Sequence, residues 1–223
     1  MTAPHDETLV EPAKHTVAAE DVTLEDDETA ETTAAETGAA PATPERHAGD
    51  VFVQRFSGSW RKAPVLLIER TVAVEDGVAT TDWTLEEGKK KQTLRVRTRA
   101  TDADAGAVVS VMRVQGEIET PATRADFDAL MERTSFAADT NEGLVATEDQ
   151  TCTVGQRELQ CRKVSYSVTV GNDEATLSIV TSPDVVGRDV SGEITTKDGK
   201  LVYRAELVEM GSEKPSAATA SAQ

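Results

Sequence analysis

Across the middle of the chain apolar and polar residues alternate with a period of two, the pattern of strands that bury one face. In PVLLIERTVAVEDG the alternation assigns Leu66, Ile68, Val72 and Val74 to one face. In AVVSVMRVQGEIE it groups Val108, Met112, Val114 and Ile118, and further on Val164, Tyr166, Val168 and Val170. KLVYRAELVEM sets Leu201, Tyr203, Ala205 and Leu207 together. Turn signals separate these runs: Asp76-Gly77, Gly88, the Gly-Asn-Asp run at 171–173 and Asp198-Gly199. An Asp-Gly pair between two strand-like runs is a strong hairpin signal.

One stretch follows a different period. In TRADFDALMERTSF, Phe127, Leu130 and Met131 recur at helical spacing, behind Thr123 as a candidate cap and Asp126 where the helix dipole favours an anion. The pattern predicts one helix over about 123–134. The expected fold is mainly β: a curved antiparallel sheet or half-barrel of about eight or nine strands in hairpin succession, with that helix against it.

Charge sets the domain limits. The chain has 223 residues and a formal net charge of −17. Residues 1–50 hold 13 acids against 2 Lys or Arg, so most of the excess lies at the N-terminus. TLEDDETAETTAAETGAAPATPE has too few large apolar residues to offset its ordering entropy. Residues 1–49 are therefore expected to be a disordered acidic tail, 50–211 a single β-rich domain, and 212–223 a short Ala/Ser tail. A domain of that size can bury roughly 70% of its unfolded surface. The acidity disfavours nucleic acid and anionic membrane surfaces, and no run of apolar residues is long enough for a transmembrane helix. MTAPHDETLV lacks a basic and then apolar leader pattern, which gives the expectation of a cytoplasmic chain.

Candidate chemistry is sparse. All three histidines, His5, His15 and His47, fall in the predicted tail, which removes the commonest general base from the domain. No phosphate-binding glycine loop is present. The expectation is a non-enzyme with no catalytic residue, metal or cofactor. Arg95, Arg97 and Arg99 place three guanidinium groups on one strand face after Lys89, Lys90 and Lys91, and read either as an anion- or partner-binding stripe or as a solvated face paired with acids such as Glu117 and Glu119. A third reading has the acidic tail folding back over that stripe. The alternating aspartates of TDADAG (101–106) are read as a turn, because no bidentate Glu follows at the spacing of a calcium loop. Trp60 and Trp83 are read as core or rim aromatics.

The two cysteines flank a glycine turn in TCTVGQRELQCRKV. A turn centred on Gln156-Arg157 sets Cys152 directly opposite Cys161; a two-residue turn begun by Gly155 sets Cys152 against Leu159, with the sulfurs one diagonal step apart. A disulfide and a pair of reduced thiols both stay open, and two cysteines without histidine disfavour zinc. A disulfide implies an oxidising compartment, periplasm or cell envelope, against the cytoplasmic expectation.

TCTVGQRELQCRKV, then ATLSIVTSPDVVGRDVSGEI, then KLVYRAELVEMG, resembles a pattern of secreted bacterial envelope proteins similar to the periplasmic lipoprotein carriers (LolA/LolB-like). The resemblance spans residues 144–211 by its motifs and 51–143 by strand succession. It implies a half-barrel whose helices close an apolar cavity, and it carries over no catalytic residue. Two functions are therefore expected: a binding module for a lipid-like or apolar ligand, or a structural protein whose acidic tail engages a basic partner.

Overall fold

In the computed structural model, residues 46–99, 106–185 and 187–212 are described. They form one antiparallel sheet of eleven strands and one helix. The strands are β1 (Asp50–Ser57), β2 (Val65–Glu75), β3 (Val78–Glu87), β4 (Lys90–Arg99), β5 (Val108–Gln115), β6 (Ile118–Ala122), β7 (Thr140–Val154), β8 (Arg157–Val170), β9 (Asp173–Thr181), β10 (Ser191–Thr196) and β11 (Leu201–Ser212); α1 (Arg124–Glu132) lies between β6 and β7. Spatial order is β6-β5-β4-β3-β2-β1-β11-β10-β9-β8-β7. Two meanders thus run outward from a central β1–β11 pair, and the sheet is open, with β6 and β7 as its edges.

The count of eleven exceeds the eight or nine expected, for a physical reason. Almost every residue of β6 and β7 is exposed, including Ile118, Leu144 and Val145 at more than 60%. A strand that buries neither face has no period-two signal to read.

Two-residue turns set the register. Glu87 pairs with Lys90, Gln115 with Ile118, Val154 with Arg157 and Val170 with Asp173, each across a turn led by a glycine. At Gly155, φ is +60°, the left-handed value that a turn of this length needs at its first position. Asp76-Gly77 makes the predicted hairpin, with positive φ at both residues.

The helix forms where the pattern placed it. The Thr123 hydroxyl accepts from the Asp126 amide at 3.2 Å, and the Asp126 carboxylate accepts the Thr123 amide at 2.7 Å. That reciprocal cap holds the Asp126 carboxyl below its ordinary range, mainly through the Thr123 backbone bond. Leu130 is 1% exposed and packs on Leu67, Leu85, Leu94, Val96 and Val111 from β2–β5, while Phe127 meets Trp83 edge-on at 5.6 Å. Burying leucines this completely is worth about 2 kcal/mol each. The far end of the helix is tied down by Glu87, which pairs with both Arg61 and Arg133, and by the Tyr203 hydroxyl donating to the Thr134 carbonyl at 3.2 Å. Both bonds to Glu87 depress its carboxyl, Arg133 most.

The helix defines an inner face of the sheet, and on β2 the expected assignment is reversed. The inner positions are Val65, Leu67, Glu69 and Thr71, each under 5% exposed, whereas Val72 and Val74 are 41% and 37% exposed. Leu66 and Ile68 lie on the outer face. Both faces of β2 start apolar, so alternation alone does not distinguish them; the helix covers the odd-numbered one. On β5 likewise the buried residue is Val111, not Met112 or Val114. The assignments on β8 and β11 hold, with Val168 and Leu207 buried and Tyr203 half-buried.

Arg46–Gly49, read as the end of the tail, are part of the fold: the Gly49 amide donates to the Thr71 carbonyl at 2.8 Å, and His47 stands 3.7 Å from Asp50. Ser212 closes β11. The expected acidic tail before residue 46, the Ala/Ser tail after 212 and residues 101–105 lie outside the described residues.

Candidate functional site

The inner face is closed over part of its width. Helix α1 closes it over β2–β5. Around β1, β11 and the β9–β10 connection, a second cluster joins Val154, Leu159, Cys161, Val180, Val185, Val190 and Leu207, with Phe52 and Met210 against it. Between the two clusters lies a cleft of about 370 Å³ lined by the half-buried Leu177, Ile179, Tyr203 and Ala205, with the buried Phe56 also reaching its wall. Gly192 also lines it, and a Cβ built there meets no atom within 4 Å. Asp189 stands at its exposed margin, where the groups around it still keep its carboxyl partly out of water and raise its pKa. Burial, with the Asp189 charge as a smaller contribution, pushes the Tyr203 phenol up to about 12.

A larger cleft of about 570 Å³ adjoins it, and Arg188 lines both. The inner face of β2 supplies its anchor. Glu69, with a side chain 5% exposed, accepts from Arg46 Nη1 at 2.5 Å and from Arg188 Nη1 at 2.7 Å. The Arg188 guanidinium lies 3.7 Å over the Phe52 ring. A carboxylate at this depth is stable only because two cations share it. The buried Thr71 and Thr81, paired across β2 and β3, continue the polar patch, and Arg46 also reaches the Thr81 hydroxyl at 3.3 Å.

The β7–β8 hairpin forms one wall of this cleft through Arg157, next to its turn. Its register is the second of the two considered: Cys152 pairs with Leu159 and Cys161 with Gln150. The cysteines are diagonal neighbours with Cα atoms 5.9 Å apart, and they are joined as a disulfide. Nine residues of separation close a short loop around Gly155, and Val154, 1% exposed, is held in the core beside it.

The chain matches no protein-family model and no curated protein. Among solved structures it is similar to a crystal structure described as a "putative lipoprotein" from Parabacteroides distasonis ATCC 8503, at 10% identity and a TM-score of 0.36, over 75% of this chain and 97% of that one.

The arginine stripe is split by its surroundings. Arg95 grips Asp82 with two bonds of 2.7 and 2.8 Å and also pairs with Glu119, contacts that raise its pKa, the Asp82 bonds most. Arg97 and Arg99 are exposed on the same strand. Of the acids foreseen as cross-strand partners, Glu119 takes that role. Trp60 packs against Phe136 and Tyr203 and donates to the Ser57 carbonyl at 2.9 Å, so both tryptophans serve the core beneath or beside α1.

Glu69, Arg46, Arg157 and Arg188 were not singled out from the sequence. They come from four separated segments, and none carries a local motif. The one available signal was the Glu69-Arg70 pair directly after the apolar run VLLI, with Glu69 at a position whose neighbours Leu67 and Thr71 are inward.

Proposed function

We propose that this chain is a non-enzymatic binding module that holds an apolar ligand on the inner face of its sheet, and that it works outside the cytoplasm. The observation that carries this reading is a cleft lined by the half-buried Leu177, Ile179, Tyr203 and Ala205, of a volume within the size range of small-molecule sites. Sheet residues of this kind are normally covered, and here Gly192 withholds a side chain where one would fit. The Cys152–Cys161 disulfide supports the second half of the proposal, because such bonds persist in oxidising compartments. The cytoplasmic expectation finds no support in it.

The test uses Gly192→Leu, which fills the cleft from its own lining. N-phenyl-1-naphthylamine, an uncharged apolar fluorophore, is titrated into the wild-type protein and the variant. Binding by the wild type that is lost in a variant of unchanged unfolding midpoint supports the proposal. Equal binding by both proteins, or none by either, refutes it.

A further inference from the structure

The charges around the larger cleft specify more than apolarity, and this inference rests on the binding role just proposed. Arg46, Arg157 and Arg188 line it together with Asp50 and Asp184. Glu69 stands behind Arg46 and Arg188. Three cations and three carboxylates sum to zero. A ligand with net negative charge would gain from the arginines and lose to the aspartates. A zwitterion gains from both.

The pairing within the cleft points the same way. Glu69 is shared by two guanidinium groups, so that trio keeps one positive charge unneutralised. Arg157 is exposed beside its turn and has no ion-pair partner among the described residues. Asp50 is engaged, accepting the His47 amide at 2.8 Å. Asp184 is exposed; its amide donates to the Ser182 hydroxyl at 3.3 Å, and its carboxylate has no partner among the described residues. An anion is thus wanted at Arg188 and Arg157, and a cation at Asp184. A carboxylate accepts hydrogen bonds, so it recognises a primary ammonium, which donates them, better than a quaternary one.

The distribution of groups then fixes the ligand class. Arg188 lines both clefts, the apolar residues line the smaller, and Arg157 and Asp184 line only the larger, so a ligand that spans the two meets all three kinds of group. A lipid with a phosphoethanolamine head carries a match for each: chain, phosphate and ammonium. We propose that the larger cleft is a head-group subsite for such a lipid, with the phosphate on Arg188 and Arg157, the ammonium on Asp184 and an acyl chain over Leu177, Ile179 and Ala205.

The experiment measures binding of dihexanoyl phosphatidylethanolamine, phosphatidylcholine and phosphatidylglycerol, each below its micelle concentration, to the full chain. Free phosphoethanolamine is titrated alongside, to separate a lipid from a soluble phosphate ester. Phosphatidylethanolamine is expected to bind tightest, about 10-fold ahead of phosphatidylglycerol. Arg157→Gln and Asp184→Asn, both at exposed positions, should each erase that preference while N-phenyl-1-naphthylamine binding and the unfolding midpoint stay unchanged. Equal affinity for the three head groups, or a preference that survives both variants, overturns the head-group subsite and leaves the apolar cleft standing. A head-group preference with no fluorophore binding retains the subsite and removes the apolar cleft. Free phosphoethanolamine binding as tightly as the lipid overturns the lipid assignment.

Discussion

Replacing Glu69 by glutamine removes one charge and almost no volume, so its cost measures the electrostatics of the buried trio. In the native protein each oxygen of Glu69 holds a different arginine. Glutamine leaves two guanidinium groups side by side with no anion, and breaking a buried ion pair from one side costs about 3–5 kcal/mol. Arg46 is a third exposed and can turn to water, which moves the expected cost to the lower end, about 3 kcal/mol. Arg46→Gln should cost only about 1 kcal/mol, because Glu69 keeps Arg188 and the lost pair was partly solvated. Arg188→Gln falls between them at about 2 kcal/mol, since it also gives up the contact with Phe52. In urea, with a slope near 2 kcal/mol/M, Glu69→Gln should lower the midpoint by about 1.5 M at unchanged slope. The ranking is the decisive result. If Glu69→Gln costs no more than Arg46→Gln, the shared-anion account of this cluster is wrong.

Three further outcomes follow from the fold. Reducing the Cys152–Cys161 bond, which closes a loop of about ten residues, should cost about 2–3 kcal/mol by the loop-entropy relation, and a reduced protein with an unshifted urea midpoint would contradict it. Gly58→Ala should destabilise by more than about 1 kcal/mol, because φ is +121° there and an added Cβ would stand 2.2 Å from the Val202 carbonyl oxygen; a neutral result in thermal unfolding would show that this contact relaxes freely. In Tyr166→Phe the remaining tyrosine, Tyr203, should ionise only near pH 12, followed by absorbance at 295 nm. Its folded pKa lies above the ordinary value near 10, so its contribution to stability is present below pH 10 and is lost as pH rises through 12. A native-state midpoint near 10 would mean that the Tyr203 hydroxyl is in water.

Much of the fold was readable locally. The Thr123–Asp126 cap and the Phe127, Leu130 and Met131 spacing gave α1 almost to the residue, because a helix start and its buried stripe are both written within four positions of each other. Asp76-Gly77, Gly88 and the Gly171 turn gave their hairpins, because positive φ is cheap for few residues, whereas Gly116 was read inside one strand and in the structure turns β5 into β6, carrying Ile118 onto the edge strand. Cysteine spacing narrowed the hairpin register to two choices, each compatible with a bridge, and only pairing with β8 selected the diagonal one.

The chain by itself therefore determined its mainly β class, its helix and most of its turns, all properties set by neighbours within a few residues. Tertiary structure decided which face of β2 points inward, because both faces begin apolar and only the arrival of α1 distinguishes them. It also decided that β11 returns to pair with β1, joining two meanders into one sheet through contacts more than 140 residues apart. The edge strand β6 and the first ten residues of β7 became visible only then, since they bury neither face. The clefts were beyond local reading for the same reason. Glu69, Arg46, Arg157 and Arg188 acquire meaning only from proximity, and proximity between distant segments is what folding supplies.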